Sequence, residues 1–390
     1  MITVTIIVYF YQLLKNLPNI VKKIFICATE QSGDNIGANV IFELLKNNPD
    51  IIFEGVGGTK MKKYLSKHYF SLVDFKTIGI IEILFSINKY IKMIKFLSKI
   101  IFTNKYDLVI SIDSPDFNYP LMKKVRKIDK NIKIIHVVAP SVWAWRQKRA
   151  KKFAKIFNEL LVLFDFESDY FIKYNLKTTF IGHPVFFIKN TNIKTNISKK
   201  FIAFLPGSRL NELNKLLPFF QIAHDYILEN NIDYKIFIPT LPHLKDKIFH
   251  ITKNWKIKTI VTTDIFEIEN YYSLTAKAIV CSGTASLEIA KRNIPQFVIY
   301  KLNFITELIA KNFIRIKYVN IINIMENKMI IPEVLNSKLN NKSFLINLKQ
   351  LIYSDLENIK QIDSINKTLV RFETNTNPYA LAAERISFYF

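Results

Sequence analysis

The stretch IFICATEQSGDNIG, residues 24–37, decides the fold because it joins a short apolar run directly to a helix-forming segment. Residues 24–28 are bulky and apolar, as expected of a buried strand. Gly33 permits a tight turn, and the helix that follows begins with N–H groups that lack partners within the helix. This order of strand, loop and helix is typical of parallel α/β sheets, which bind ligands at the carboxyl ends of their strands.

The polar residues of this loop are candidates for a binding site. Glu30, Ser32 and Asp34 would lie at the carboxyl end of the first strand, where the start of the helix offers N–H groups to an anion or a polar ligand. The alternative is a capping role, in which the Ser or Asp side chain accepts a hydrogen bond from the helix. The loop lacks the GxGxxG spacing, so a dinucleotide fingerprint is not indicated.

The alternation of apolar runs with helix-period segments continues along the chain and predicts two parallel sheets. The polar, aperiodic stretch 187–200 is interpreted as a linker between two doubly wound, Rossmann-like α/β halves, residues 22–186 and 201–375. A C-terminal helix at about residues 376–390 is expected to pack back on the first half. The candidate strands are residues 24–28, 51–55, 108–112, 133–138, 160–164, 179–181, 201–205, 235–238, 259–261, 278–281 and 297–300.

The amino-acid composition only weakly limits the class of protein, because much of it reflects a coding bias. The 390 residues include nine glycines and eight arginines against forty-seven lysines, a bias typical of A/T-rich coding. The glycines and arginines that remain are therefore interpreted as positions where backbone geometry or guanidinium chemistry is needed. The net charge of +23 fits either lysine inflation or an anionic partner, but no nucleic-acid motif accompanies it. A hydrophobic content of 49% excludes a disordered chain, and the two distant cysteines argue against a disulfide scaffold.

The first 21 residues begin with an unusual apolar run. The run MITVTIIVYFYQLL is shorter than the roughly 20 residues that a membrane span needs, and no signal-peptide cleavage pattern follows it. A spurious upstream start or a loose membrane-surface anchor fits this segment.

An aspartate follows the strand at residues 108–112, in the sequence DSPDFN (residues 113–118). A carboxylate at a strand's carboxyl end is where many α/β enzymes hold a general base. Asp113 is therefore the candidate catalytic residue, whereas Asp116 is expected to cap the next helix.

Two further loops of the first half leave function and structure open. The segment GVGG (residues 55–58) indicates a turn that needs positive φ or tight backbone approach, and a purely structural turn is the alternative. The segment PSVWAWR (residues 140–146) carries Trp143, Trp145 and Arg146. Its rings would line an acyl or sugar pocket or would plug a packing interface.

Two loops of the second half repeat the strand–loop–helix plan and predict a nucleotide site. In the first, Gly207 leaves the backbone N–H groups accessible, Ser208 offers a hydroxyl and Arg209 offers the paired N–H donors of a guanidinium. Together these groups suit a diphosphate. The second has small residues followed by a carboxylate that can accept hydrogen bonds from a ribose diol. Its candidate residues are Ser282, Gly283, Thr284 and Glu288.

Residues 80–101 predict an amphipathic helix with a lysine-rich side. The apolar stripe contains Ile80, Leu84, Ile87, Ile91 and Ile94. Such a helix either lies on an anionic membrane surface or packs as a buried helix with a solvated lysine face. The residues expected to face a membrane are Ile80, Ile81, Ile83, Leu84 and Ile87.

Taken together, these motifs resemble the lipid-A-disaccharide synthase family, glycosyltransferases of GT-B fold. The resemblance runs from about Lys23 to Leu335 and is carried most specifically by PSVWAWRQKR and SIDSPDFN. The other motifs in family order are TEQSGDNIGA, FEGVGGTKM, FIGHP, LPGSRLNE, SGTASLE and YVNIINIM.

The resemblance implies a fold of two domains facing across a cleft, with the acceptor on the first and a UDP-sugar on the second. It implies that UDP-2,3-diacylglucosamine and 2,3-diacylglucosamine 1-phosphate are joined into a β-1,6-linked disaccharide 1-phosphate, with release of UDP. It places the family's essential Asp on Asp113, its loop arginine on Arg209, its nucleotide-site glutamate on Glu288 and an asparagine on Asn323. Glu30, Ser32 and Gly33 fall on the acceptor side.

The same resemblance implies a cytoplasmic enzyme at the anionic inner-membrane surface, without nucleic acid as a partner. No DxD pair follows a strand of the second half, so we expect no metal and no cofactor. The oligomeric state stays open, a homodimer included. The alternatives are another GT-B enzyme that uses a UDP-N-acetylhexosamine, for which acylation would not matter, and a nucleic-acid-binding protein.

The sequence departs from the family pattern in residues 1–21, which are extra because the family usually begins near Lys22, and in two internal stretches. Asp165 stands where a Pro is usual in an F-L-P-F-E stretch. Ile322 replaces a Pro before Asn323, and Glu326 and Asn327 stand where a Gly is usual, which predicts an altered loop on the uridine side.

Overall fold

The computed structural model describes residues 21–75, 80–144, 146–187, 199–301 and 317–390, and the side chains of residues 80–86 are not described. The chain divides into two compact units. The first joins the described residues up to Trp143 with Gln147–Gly182 and Thr374–Phe390. The second joins His183–Glu373 with the short segment Ala144–Arg146. Almost all of the extra N-terminal segment and of the predicted linker lies outside the described residues.

The first unit is built on a sheet of seven described strands in the order β3-β2-β1-β4-β5-β6-β7, all parallel. Its strands are β1 (Lys23–Ala28), β2 (Ile52–Val56), β3 (Leu65–Phe70), β4 (Leu108–Ile112), β5 (Lys133–Val137), β6 (Glu159–Val162) and β7 (Lys177–Phe180). Its helices are α1 (Gln31–Asn47), α2 (Ile80–Thr103), α3 (Pro115–Ile128), α4 (Lys148–Ala154), α5 (Asp169–Ile172) and the C-terminal α13 (Pro378–Ser387).

The second unit repeats this plan with six described strands in the order β10-β9-β8-β11-β12-β13, again all parallel. Its strands are β8 (Phe201–Leu205), β9 (Lys235–Pro239), β10 (Thr259–Thr262), β11 (Thr275–Cys281), β12 (Gln296–Tyr300) and β13 (Glu333–Leu335). Its helices are α6 (Leu210–Glu229), α7 (Pro242–Thr252), α8 (Ile265–Ser273), α9 (Thr284–Lys291), α10 (Ile321–Glu326), α11 (Asn341–Tyr353) and α12 (Asp355–Leu369).

The prediction of two doubly wound parallel sheets is confirmed. The sequence could indicate them because their central strands are covered by helices on both faces. Residues 24–28 of β1 and all of β4 are buried, because helices pack on both faces of the sheet. A strand buried on both faces reads as a continuous apolar run and not as an alternation. The sheet order reverses beside β1 and beside β8, so β1 neighbours β4 and β8 neighbours β11.

The C-terminal helix α13 packs on α1 and is fixed by a buried carboxylate. Glu159 of β6 accepts hydrogen bonds from Arg385 Nε, Tyr389 Oη and Thr179 Oγ1, each at 2.6 Å. Burial by itself would raise the pKa of Glu159, but these hydrogen bonds hold it below its usual value. The last residues of the chain are therefore held on the first sheet by charge as well as by apolar packing.

Replacing this carboxylate should produce a pH-dependent loss of stability. We expect Glu159→Gln to lower the free energy of unfolding by about 2–3 kcal/mol near pH 7, because hydrogen bonds to charged groups contribute roughly 1.5–3 kcal/mol each. The folded-state pKa is depressed. The contribution is therefore complete above the unfolded pKa of about 4.3 and is lost as pH falls through the folded value. Urea unfolding of wild type and variant should thus converge as the pH is lowered below about 4.

The matched control is Glu357→Gln, which removes a surface carboxylate paired with Lys360 at 2.8 Å. It should change stability by less than about 1 kcal/mol. Equal losses in both variants, or a loss in Glu159→Gln that does not vary with pH, would contradict the anchoring role.

Candidate functional site

The structure brings Asp113 and Ser32 together at the point where the first sheet reverses its strand order. Asp113 follows β4 and Ser32 lies in the first turn of α1, which follows the neighbouring β1. The Ser32 hydroxyl donates a 2.7 Å hydrogen bond to Asp113 Oδ2, and the backbone N–H of Ser114 donates at 2.8 Å to Oδ1. Asp113 is half-buried, so an oriented carboxylate faces the edge where ligands of such sheets bind.

The backbone around Asp113 is held in an uncommon conformation. Asp113 and Ser114 both have positive φ, 52° and 47°. The buried Asn118 side chain donates to the carbonyls of Ile112 and Asp113, at 3.1 and 2.7 Å. Sequence analysis missed Asn118, although its place in the first turn of α3 was a signal for such a loop contact.

Gly33 allows α1 to approach the ends of β1 and β4. It lies within the first turn of α1, so its predicted role in a tight turn is wrong. A Cβ at this position would come within 3.1 Å of Ala28 Cβ and 3.4 Å of the Ile112 carbonyl oxygen. The missing side chain therefore sets the short distance between Ser32 and Asp113.

Asp34 is a structural residue, so its predicted place among the functional groups of the loop is wrong. It is fully buried, and its carboxylate accepts hydrogen bonds from the N–H groups of Gly58 (2.7 Å), Met61 (3.0 Å) and Lys60 (3.1 Å). Glu30 precedes α1 with an exposed side chain.

The glycine-rich segment at the end of β2 thereby serves the scaffold. At Gly55 a Cβ would lie only 1.8 Å from the Ile26 carbonyl oxygen, because β1 and β2 pack backbone to backbone there. At Gly58 a Cβ would lie 2.5 Å from Asp34 Oδ2. The tight backbone approach predicted for this segment is thus confirmed at Gly55, where it serves the pairing of β1 with β2.

The tryptophan loop contacts a second buried carboxylate. Trp143 Nε1 donates to Glu167 Oε1 at 3.3 Å, and the backbone N–H groups of Leu163 and Phe164 each donate to Oε2 at 3.2 Å. Burial raises the pKa of Glu167 to about 7, against the lowering effect of these donors. Trp143 is thus packed within the first unit, while Trp145 lies outside the described residues.

In the second unit the two predicted donor loops leave neighbouring strands. Leu205 of β8 is paired with Val280 of β11, so the loops that begin just after them start side by side. Gly207 has φ +100°, and a Cβ there would meet Glu212 Oε2 at 2.7 Å and Cys281 Sγ at 3.2 Å. Gly283 has φ +142° with open space around its Cα, so its backbone conformation alone favours glycine.

These loops present exposed polar groups at the start of two helices. Ser208, Arg209, Gly283 and Thr284 are exposed, and α6 and α9 begin at Leu210 and Thr284. The first N–H groups of each helix are therefore directed to this edge, a geometry suited to an anion. Glu212, which sequence analysis did not single out, accepts from Arg209 N at 3.3 Å and pairs with Arg209 Nη1 at 3.4 Å.

Glu288 follows one turn into α9 and is half-buried. Burial raises the pKa of Glu288 above its usual value, and nearby Glu269 adds to the rise while Arg292 opposes it. Arg292 itself pairs with Glu269 at 2.5 Å and lies over the Tyr272 ring at 4.5 Å. The carboxylate thus stands one turn into α9, near a cation held at the far end of that helix.

Asn323 points into the interior of the second unit. Its side chain accepts from the N–H groups of Ile330 and Ile331 and donates to the Ile331 carbonyl and to Glu333, all at 2.7–2.9 Å. Any effect of Asn323 on donor binding would therefore be indirect, through the loop before β13 that its side chain holds in place. Asn327 takes up a left-handed conformation (φ +47°) at the end of α10. Asparagine tolerates this geometry, so it can stand where the family usually has a Gly.

Helix α2 has a buried face and a lysine-bearing exposed face. Met93, Leu97 and Ile101 are buried, whereas Ile87 and Ile91 expose 47% and 44% of their surface. The exposed lysines on the same helix are Lys89, Lys92, Lys95 and Lys99. The side chains of Ile80, Ile81, Ile83 and Leu84 lie outside the described residues. Among the helices that are described, none is long and apolar enough to cross a membrane.

Sequence comparisons with known proteins agree on one family. Residues 24–384 match the sequence model described as Lipid-A-disaccharide synthetase. Lipid-A-disaccharide synthase of Rickettsia prowazekii (strain Madrid E) is 36% identical over 94% of this chain and 98% of its own length, and that of Rickettsia canadensis (strain McKiel) is 35% identical over 93% and 97%. The solved structure of Acinetobacter baumannii MurG superposes with a TM-score of 0.56 at 12% identity, covering 94% of this chain and 99% of that one, a likeness of fold alone.

The structural assignment of Asp34 can be tested by unfolding. Asp34→Ala leaves three N–H groups without their acceptor, those of Gly58 and Met61 buried and that of Lys60 partly buried, and each loss of a buried partner costs roughly 1–3 kcal/mol. We expect the free energy of unfolding to fall by about 3 kcal/mol in urea titrations followed by circular dichroism. Asp116→Ala is the control, since its carboxylate is 73% exposed and pairs with Arg149 at the surface. A similar small effect in both variants would contradict the role given to Asp34.

Proposed function

Because the chain belongs to the lipid-A-disaccharide synthase family, we propose that it joins UDP-2,3-diacylglucosamine to 2,3-diacylglucosamine 1-phosphate. The product is the β-1,6-linked disaccharide 1-phosphate, and UDP is released. The observation that carries this assignment to particular residues is the Ser32–Asp113 pair beside the first reversal of strand order. Two glycine-dependent loops beside the second reversal support a donor site there.

Asp113 acts as the general base in this proposal. Its carboxylate removes the proton from the acceptor 6-hydroxyl as that oxygen attacks C1 of the donor sugar. The bond between C1 and the diphosphate oxygen breaks, and its electron pair leaves on UDP. Displacement at one centre inverts the α-linked donor to a β-linked product. Ser32 and the Ser114 N–H each occupy one carboxylate oxygen, which orients the group and leaves further lone pairs for the substrate.

The second unit holds the donor in this proposal. Gly207, Ser208 and Arg209, with Ser282, Gly283 and Thr284, bind the diphosphate through N–H groups, hydroxyls and the guanidinium. Glu288 accepts hydrogen bonds from the ribose diol. Arg209 and the two helix starts stabilise the negative charge that develops on the departing UDP. Glu30 and Gly33 belong to the acceptor side, Glu30 as an exposed polar group and Gly33 as the residue that seats Ser32.

The base is tested by Asp113→Asn. Asparagine tolerates the left-handed backbone of this position, so the loop should keep its shape while the proton acceptor is lost. We expect the rate of disaccharide formation to fall by about 10²–10⁴-fold. The affinity for UDP, measured by calorimetry, should stay within about twofold.

Asp116→Asn serves as the control and should keep nearly full activity. Full activity of Asp113→Asn would remove the residue from its role. Equal rates with unacylated donor and acceptor would favour the alternative, an enzyme acting on a UDP-N-acetylhexosamine.

We also propose that the protein works at the anionic inner-membrane surface, where its acylated substrates reside, as a peripheral protein. The supporting observation is the exposed face of α2, with Ile87 and Ile91 beside Lys92, Lys95 and Lys99. Apolar side chains at the border of a basic helix face suit the interface of an anionic bilayer.

Removing three lysines of this face should weaken membrane binding. Each lysine near an anionic surface contributes about 1 kcal/mol, so Lys92→Gln, Lys95→Gln and Lys99→Gln together should reduce partition onto vesicles of phosphatidylglycerol and phosphatidylethanolamine by at least about tenfold. Vesicle sedimentation of the full chain measures this. The control carries the same change at three exposed lysines of the second unit, Lys245, Lys253 and Lys342. An equal reduction in both variants would show that total charge, and not this face, drives binding.

A further inference from the structure

A buried polar network holds the first turn of α9 from behind. Ser286, the third residue of the helix, donates from its hydroxyl to Gln296 Oε1 at 2.8 Å and accepts from Asn320 Nδ2 at 2.6 Å. Gln296 Nε2 donates back to the Ser286 carbonyl at 2.9 Å. All three side chains are almost fully buried. The turn that would present its N–H groups to a diphosphate is therefore fixed on its inner side by hydrogen bonds.

Asn320 links this turn to the segment before β13. Its Oδ1 accepts from the Ile322 N–H at 2.9 Å and caps α10, while its own N–H donates to Glu333 Oε1 at 2.8 Å. Glu333 also accepts from the Val319 N–H at 2.9 Å and from Asn323 Nδ2 at 2.8 Å. The single side chain of Asn320 thus caps α10 and also holds the first turn of α9.

We infer that Asn320 is a positioning residue for donor binding, acting through Ser286 on the first turn of α9. This inference rests on the proposed function, because α9 carries Gly283, Thr284 and Glu288 of the proposed donor site. The Asn320–Ser286 hydrogen bond fixes where the N–H groups of that turn stand relative to the Gly207 loop. Asn323, which does not reach the edge of the sheet, joins the same network through Glu333.

The network is placed to affect binding as well as stability. The first turn of a helix is its least restrained part, since its N–H groups lack partners within the helix. Ser286 is restrained on both sides, by β12 through Gln296 and by the 317–333 segment through Asn320. A donor site assembled from two loops depends on their mutual position, and a small misplacement weakens each contact to the ligand.

The test is Asn320→Ser in the full-length protein. Serine is as good a helix N-cap as asparagine, so the cap on α10 is kept while the side chain becomes too short to reach Ser286. Asn340→Ser is the matched control. Asn340 caps α11 in the same unit, where its Oδ1 accepts from the Ser343 N–H at 3.0 Å, and it has no bond to α9.

Two readouts separate positioning from general stability. Calorimetry should give a UDP dissociation constant about five- to tenfold higher for Asn320→Ser, with the donor KM raised in parallel and kcat and the acceptor KM little changed. Hydrogen exchange without nucleotide should become faster for the amides of α9 and not for those of α11. Asn340→Ser should leave both readouts near wild type.

Ser286→Ala tests the same link from the other side and serves if Asn320→Ser does not fold. It should weaken UDP binding at least as much, because it also removes the hydrogen bond that Ser286 donates to Gln296 Oε1. The double variant should lose little more than Ser286→Ala alone, since that change already breaks the Asn320–Ser286 hydrogen bond. Additive losses would overturn the inference. It would also be overturned if UDP binding by Asn320→Ser stayed within about twofold of the Asn340→Ser control. Failure of the wild type to bind UDP would be a different result, which overturns the proposed function itself.

Discussion

The reversal of strand order beside β1 and β8 is the constraint on which the candidate site depends. At each reversal two strands that are distant in sequence leave the sheet side by side, and their loops diverge to opposite faces. Ser32 and Asp113 meet there although 81 positions separate them. In the second unit the Gly207 loop and the Gly283 loop likewise start side by side, because β8 and β11 are neighbours. Each unit thus gathers its polar groups at one edge without a dedicated binding domain.

The sequence predicts eleven of the thirteen described strands and misses one edge strand of each sheet. Eleven strands are signalled by apolar runs, and the signal is clearest for the central ones because strands covered on both faces need apolar side chains throughout. β3 was not predicted because its sequence, LSKHYF, is mostly half-exposed and carries no apolar run. β13 was not predicted because it has only three residues. Both strands lie at an edge of their sheet, where one neighbour is missing and polar side chains are tolerated.

For the site, the sequence indicates which residues carry suitable chemistry, but it does not indicate which other residues they form hydrogen bonds with. Asp113 was predicted from its place at a strand end, and the Ser32 hydrogen bond adds an orientation that only the fold could supply. The prediction for Asp34 is wrong because the three backbone N–H groups that donate to its carboxylate lie after Gly57, in a different loop. Asn320 was not singled out at all, since a capping asparagine gives no sign of a second contact 34 positions away. Long-range hydrogen bonds are what pattern analysis misses.

The scarcity of arginine bears on the donor site. Arg126 uses its fork to reach the carbonyls of Lys130, Ile132 and Ile156 and the side chain of Asn158. Arg292 and Arg385 likewise bind several groups at once, which one lysine ammonium could not reach in a plane. Arginine has therefore persisted where several acceptors lie in a fixed arrangement. Arg209 keeps 67% of its side chain exposed beside Gly207, at the edge where two helices begin. A planar fork at that place suits the several oxygens of a diphosphate better than a single ammonium would.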